Sequence, residues 1–202
     1  MAGVVKVAWA DDTLKRYANR LKTLNDRFPV ILPRIINQVG NKAKTQVIRK
    51  LTGQTGLPRK TIVKAIGNPA TARSNARLSY EMVTRGGYVR LKYLKPREMM
   101  PGVIARPFGK ATLYPGAFMK GGAFPKRKFV DEFGGHIYRR LGYDNRRDGS
   151  RGDRITQVRS EMAIPNEMTT GATKAAFEKT AGPLLQERVE KVLATYTLKG
   201  LI

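Results

Sequence analysis

Two helical periods open the chain. Leu14, Tyr17, Ala18, Leu21 and Leu24 recur at three- and four-residue steps behind Asp11 or Asp12, either of which can cap a helix. A second run, Leu32, Ile35, Ile36, Val39, Ala43, Val47 and Leu51, keeps that period for about five turns, with Pro29 and Pro33 where a first turn tolerates proline. Its other face carries Lys42, Lys44, Arg49 and Lys50. Gly53 and Gly56 end this helix, and Leu57-Pro58 starts a short one through Ile62, Val63 and Ile66, with Thr55 as its cap, stopped by Gly67-Asn68-Pro69.

The period then changes to two. Leu78, Tyr80 and Met82 alternate, as do Val89, Leu91 and Tyr93, and Arg85-Gly86-Gly87 between them predicts a β-hairpin of Ala76–Val83 and Tyr88–Leu94. Val103–Phe108, Phe129–Phe133, His136–Leu141 and Ile155–Met162 are shorter strand candidates among Gly- and Pro-rich connections. Tyr143–Asp153 reads as a polar loop holding Arg146, Arg147 and Arg151. After Pro165 the helical period returns through Ala172, Ala175, Ala176 and Phe177, and resumes after Gly182-Pro183 through Leu184, Leu185, Val189, Val192, Leu193 and Tyr196. Proline there predicts a kink or two abutting helices. The expected architecture is α+β: a single domain over 1–202 with a central mixed or antiparallel sheet (71–165) flanked by an N-terminal helical region (1–70) and a C-terminal one (166–202).

Charge changes the picture most. Lys and Arg number 39 against 15 Asp and Glu, a formal +24 in 202 residues. The excess is clustered: no carboxylate occurs from Arg27 to Tyr80 or from Met99 to Val130. Such a chain attracts polyanions, and two partners fit: nucleic acid, or acidic protein surfaces across an assembly interface. Lys42, Lys44, Arg49, Lys50, Arg59, Lys60 and Lys64, with Arg146, Arg147 and Arg151 of the polar loop, are the candidate residues for facing either one. Aromatic residues do not interleave with the helical basic run, which argues against base stacking.

Reactive chemistry has few places to sit. Cysteine is absent, which excludes thiol nucleophiles and disulfides, and His136 is the only histidine. Asp131 and Glu132 are adjacent in sequence, so in a strand they would point to opposite faces. None of the serines lies in a Gly-x-Ser-x-Gly turn, and Gly116–Gly122 lacks the Lys-Ser or Lys-Thr of a phosphate-cradling loop. The acids Glu81, Glu98, Asp131, Glu132 and Glu161 have no spacing for a Mg²⁺ site. The expectation is a protein without enzymatic activity or cofactor. No run approaches the roughly 18 apolar residues of a membrane span, and Met1–Ala10 lacks a secretory pattern, so synthesis in a cytoplasm and no membrane partner are expected.

Several short segments, taken in order, carry a resemblance. They are Ile35-Ile36-Asn37-Gln38-Val39, then Pro58-Arg59-Lys60-Thr61-Ile62-Val63-Lys64, Ala76-Arg77-Leu78, Pro115-Gly116-Ala117-Phe118, Gly135-His136-Ile137-Tyr138-Arg139-Arg140, and Met162-Ala163-Ile164-Pro165 ahead of the Pro183 helix. Together they resemble the lambdoid phage minor tail protein Z family, the tail-completion or neck proteins, over about Ile35 to Tyr196. Lys95–Pro107 and Gly121–Val130 are longer than that pattern. The resemblance implies a structural virion protein, made in the bacterial host cytoplasm, that finishes the head-proximal end of the tail and helps position the genome end. Its partners would be the tail terminator, the tail tube and the head-closure ring, with phage double-stranded DNA as a further one. Self-association into a ring by contacts that close is expected to use strand edges and the Gly-rich loop at Gly116, Phe118, Gly121 and Gly122. The alternative is a basic nucleic-acid-binding protein of ribosomal or chromatin-like type.

Overall fold

The computed structural model describes residues 3–8, 28–73, 78–145 and 151–198, so the helix expected from Asp11 to Leu24 lies outside the described residues. The elements in chain order are β1 (Gly3–Ala8), α1 (Phe28–Thr55), α2 (Arg59–Ile66), β2 (Glu81–Gly86), β3 (Tyr88–Arg90), β4 (Arg97–Met99), β5 (Gly102–Ala105), β6 (Thr112–Pro115), β7 (Ala117–Phe118), β8 (Tyr138–Asn145), β9 (Arg151–Gln157), β10 (Arg159–Ala163), α3 (Ile164–Met168) and α4 (Gly171–Leu198). The fold is α+β, and every strand pair is antiparallel. In place of one central sheet, however, the described strands form four small ones: β1-β2, β10-β3, β4-β5-β6 and β7-β8-β9.

Helix α1 buries the residues its period marks: Leu32, Ile35, Ile36, Val39, Ala43, Val47 and Leu51. It ends at Gly56, whose N–H donates to the Thr52 carbonyl at 3.0 Å. Gly56 has φ +72°, and a Cβ there would come within 2.8 Å of the Gly109 backbone nitrogen, so both conformation and space call for glycine. Helix α2 follows from Pro58, which takes the cap position that the sequence suggested for Thr55. The Thr55 hydroxyl instead donates back to the Leu51 carbonyl at 2.6 Å, closing the end of α1.

Helix α4 packs along α1. Its core-facing stripe is Thr173, Phe177, Ala181, Leu185, Val189 and Leu193, spaced four residues apart, the ridge by which one helix settles into the grooves of another. Ala172 and Ala175, expected on that edge, are exposed. Of the kink or two abutting helices expected at Pro183, the second does not form, since one helix continues across it; Gly182 and Pro183 are both exposed. Gln54 joins the two helices. Its amide donates to the Glu167 carboxylate at 2.7 Å and to the Glu167 carbonyl at 3.2 Å, and its oxygen accepts from the Thr173 N–H at 3.1 Å and the Thr173 hydroxyl at 2.8 Å. The N–H of Thr173 belongs to the first turn of α4, where backbone donors have no partner within the helix.

The segment before β2 docks onto α1 through three residues. Asn37 brackets Ala72, donating to its carbonyl at 3.0 Å and accepting from its N–H at 2.8 Å. Tyr80 is 1% exposed and donates its hydroxyl to Asn41 Oδ1 at 2.9 Å. Between those two asparagines stands Gly40, which leaves room for the Tyr80 ring. Tyr80, Met82 and Thr84 all point into the core, continuing the alternation.

The expected hairpin across Arg85-Gly86-Gly87 does not form. β2 pairs along its length with β1, from Gly3↔Gly86 to Ala8↔Glu81, while β3 pairs with β10. Gly86 ends β2, and Gly87 alone separates two strands of different sheets. β3 is short because Leu91 and Leu94 are both buried while Tyr93 is exposed, and a spacing of three is met by the 3-10 turn Leu91–Tyr93, not by a strand. Two further strand expectations shorten likewise: β5 ends at Ala105, before a 3-10 turn in which exposed Phe108 has φ +55°, and Phe129–Phe133 is occupied by the 3-10 turn Asp131–Phe133. Conversely, most of the expected loop Tyr143–Asp153 forms the facing arms of β8 and β9, paired out to Asn145↔Arg151. One hydrophobic cluster runs from Leu32 to Val189 and includes residues of both helical regions and the strands.

Candidate functional site

The candidate basic residues divide between two surfaces. At about 100° per residue, Lys42 and Arg49 lie on one side of α1 and Lys44 roughly opposite them. Arg34, Gln38, Lys42, Thr45 and Arg49 form an exposed stripe at three- and four-residue steps, about 22 Å long at the helical rise. Lys50 is exposed nearby on the same helix. Lys44 leaves this set: its ammonium donates to the Gly67 carbonyl at 2.8 Å, satisfying an acceptor at the end of α2, and burial lowers its pKa. Helix α2 therefore lies on the Lys44 side, and its exposed Arg59, Lys60 and Lys64 do not extend the Lys42–Arg49 stripe.

The stripe borders α4. There the Glu187 carboxyl is held below its usual pKa, first by the hydrogen bond from Lys191 and its charge, with smaller help from Arg188 and Lys42. A carboxylate of this chain thus already draws on Lys42. Arg34 and Arg49 form no ion pair among the described residues.

The second candidate region is the Gly-rich loop and the hairpin behind it. Phe118 is a correction: it is 8% exposed, tilted against Phe133 at 5.9 Å between centroids, and covered by the Arg140 guanidinium at 5.6 Å. Phe133 in turn meets Tyr138 at 5.0 Å. This cluster pins β7 to β8 and is not a free contact surface. Gly116 (φ +68°) and Gly122 (φ +93°) make turns. Gly121 pairs with Lys128, and a Cβ there would meet Val130 at 2.8 Å. The loop is tied down by Glu98, which accepts from Arg127 and from the Met119 N–H. Arg146 and Arg147 lie outside the described residues, and Arg151 opens β9.

The described hairpin residues Arg139 to Gly142 and Arg154 to Thr156 are exposed. β8 pairs with β7 on one side and β9 on the other, so the far edge of β9 has no partner strand among the described residues. Leu141 on β8 is 63% exposed and Ile155 on β9 is 42% exposed.

One cluster was not visible in the sequence. Lys92, from the 3-10 turn after β3, places its Nζ 2.9 Å from His136 Nε2, and Arg90 Nη1 stands 3.4 Å from the same atom. Burial, then the charges of Lys92 and Arg90, lower the His136 pKa. The Lys92 ammonium can only donate, so Nε2 is the acceptor in that contact. Nδ1 is buried and finds no partner among the described residues. Sequence separations of 44 and 46 hide this convergence. Elsewhere among the described residues no three His, Asp or Glu side chains converge as metal ligands, and no helix is long and apolar enough to cross a membrane.

Compared with family models, curated proteins and solved structures, the chain matches none.

Proposed function

We propose that this protein is a structural component of a tailed-bacteriophage virion, a minor tail or tail-completion protein at the head–tail junction, which self-associates into a ring and turns over no substrate. The observation that carries this reading is the β8–β9 hairpin: two long strands ending in an open edge, with Leu141 and Ile155 left in water. An open edge offers a row of unpaired backbone donors and acceptors, and exposed aliphatic residues beside it gain from being covered by a neighbour. Head-to-tail addition of one subunit's hairpin to the next gives contacts that close into a ring. Basic surfaces on α1 and α2 then face DNA or acidic partner rings. The resemblance to the lambdoid tail-completion proteins supports the same reading.

The test is reconstitution. Purified protein mixed with tail tubes and with head-closure complexes is followed by size exclusion and electron microscopy. Rings, or density at the tube end, are expected; a monomer that binds neither refutes the proposal. A second reading, a basic nucleic-acid-binding protein, is favoured by the Arg34–Arg49 stripe. It calls for duplex binding by the isolated protein whose affinity falls steeply with salt and drops when Arg34, Lys42 and Arg49 are replaced by Gln.

A further inference from the structure

Arg90 and Lys92, two cations, converge on one ring nitrogen of His136. Lys92 Nζ and Arg90 Nη1 both lie within 3.4 Å of one imidazole nitrogen. Across the β3–β10 pair, Arg159 stands directly opposite Arg90, adding a further cation at the same edge. Among the described residues no carboxylate forms an ion pair with Arg90, Lys92 or Arg159. Along the chain the charged neighbours of His136 are Asp131 and Glu132, both exposed in the preceding 3-10 turn, and Arg139 and Arg140 after it. Elements of quite different sequence position hold these groups together: β3 is pinned to β10 by the Ser160 hydroxyl donating to the Val89 carbonyl at 2.9 Å, and His136 is fixed by its N–H donating to the Phe133 carbonyl at 2.8 Å.

We propose that Arg90, Lys92 and His136 form a binding site for a phosphate group. The guanidinium and the ammonium donate to two of its oxygens, and the imidazole, on taking up a proton, donates Nε2–H to a third. An oxyanion offsets the repulsion between Arg90 and Lys92 with charge-assisted hydrogen bonds and takes the place of Nε2 as acceptor for the Lys92 ammonium, and the planar guanidinium suits the spread of phosphate oxygens. A carboxylate offers only two acceptor oxygens to three converging donors, so phosphate is the better match. This site is separate from the α1 stripe and lies at the base of the β8–β9 hairpin, with His136 two residues before β8; its test reads phosphate binding and not assembly, so it stands or falls independently of the assembly reading.

His136 is the only histidine of the chain, so its ring resonances are identified without assignment. The experiment is a nitrogen-15 and proton NMR titration of the His136 ring with sodium phosphate, ionic strength held constant by sodium chloride. A saturable shift is expected, with the His136 pKa rising by about one unit or more on saturation, since a bound anion favours the imidazolium. Lys92→Gln and Arg90→Gln should each weaken phosphate binding at least tenfold, while Lys179→Gln, at an exposed position of α4, leaves it unchanged. A short DNA duplex in a second arm separates the sources: matching shifts mean that the site takes phosphodiesters, and a response to inorganic phosphate alone means free phosphate. No saturable shift with either ligand, a shift that survives both Gln variants, or a response to poly-glutamate and not phosphate overturns the proposal.

Discussion

Replacing Gly40 by alanine sets two effects against each other. Alanine in a helix interior is favoured over glycine by about 1 kcal/mol, so a judgement from propensity alone expects stabilisation. The structure says otherwise, because a Cβ at position 40 would lie no more than 2.6 Å from three carbons of the Tyr80 ring. That ring is 1% exposed and anchored at its hydroxyl by Asn41, so it has no free volume to enter and loses a hydrogen bond if it moves. Overpacking of this kind costs about 1–3 kcal/mol, and the lost hydrogen bond about 1 kcal/mol more. Against the propensity gain the net loss is about 1–3 kcal/mol, or roughly 2–12 °C in Tm for a chain of this size. Thermal and urea unfolding of Gly40→Ala, Tyr80→Ala and the double variant measure it. The pair should couple favourably by about 1 kcal/mol or more, because truncation at Cβ removes the Cγ and Cδ atoms that the methyl group would meet. A higher Tm for Gly40→Ala, or strict additivity of the two changes, would refute the reasoning.

Three further outcomes are expected. Gln54→Ala removes the acceptor for Thr173 and the donor for Glu167, and should cost about 2 kcal/mol in urea unfolding, with amide exchange quickening first at the start of α4. Thr84→Val should be neutral or stabilising by about 1 kcal/mol, because the Thr84 hydroxyl is buried without a partner among the described residues; a clear loss of stability would mean that it has one. Burial raises the Tyr80 pKa to about 12, above its ordinary 10.0, so its contribution is intact below pH 10 and lost as pH rises from 10 toward 12. Unfolding free energy measured across that range should fall less steeply in Tyr80→Phe than in the wild type.

Much of the fold is legible in the sequence wherever one period is sustained. The α1 core positions from Leu32 to Leu51 were readable except Ile48, which is buried beside Val47, because a long amphipathic stripe marks its centre more clearly than its margin. The strands were readable as extended segments but not as partners. Arg85-Gly86-Gly87 carries a turn signature, yet β2 and β3 find their partners at opposite ends of the chain, which no local pattern records. Leu91 and Tyr93 continue an alternation that the burial of Leu91 and Leu94 breaks. The same limit applies to the surfaces. Lys44 looked like its neighbours because side-chain direction within a basic run is fixed by which helix packs where, and Phe118 looked available because Phe133 and Tyr138 lie 15 and 20 residues further on. His136 was readable as lacking a second histidine, but its cationic neighbours were not, since they approach from β3 and the turn after it.

Self-association through the β8–β9 hairpin is tested most directly by native mass spectrometry of the wild type beside Leu141→Asp and Ile155→Asp, at rising concentration and with tail tubes added. A single closed oligomer is expected for the wild type, reverting to monomer in both variants while the circular dichroism spectrum is retained. A wild type that stays monomeric under every condition, or an oligomer indifferent to both substitutions, would contradict it.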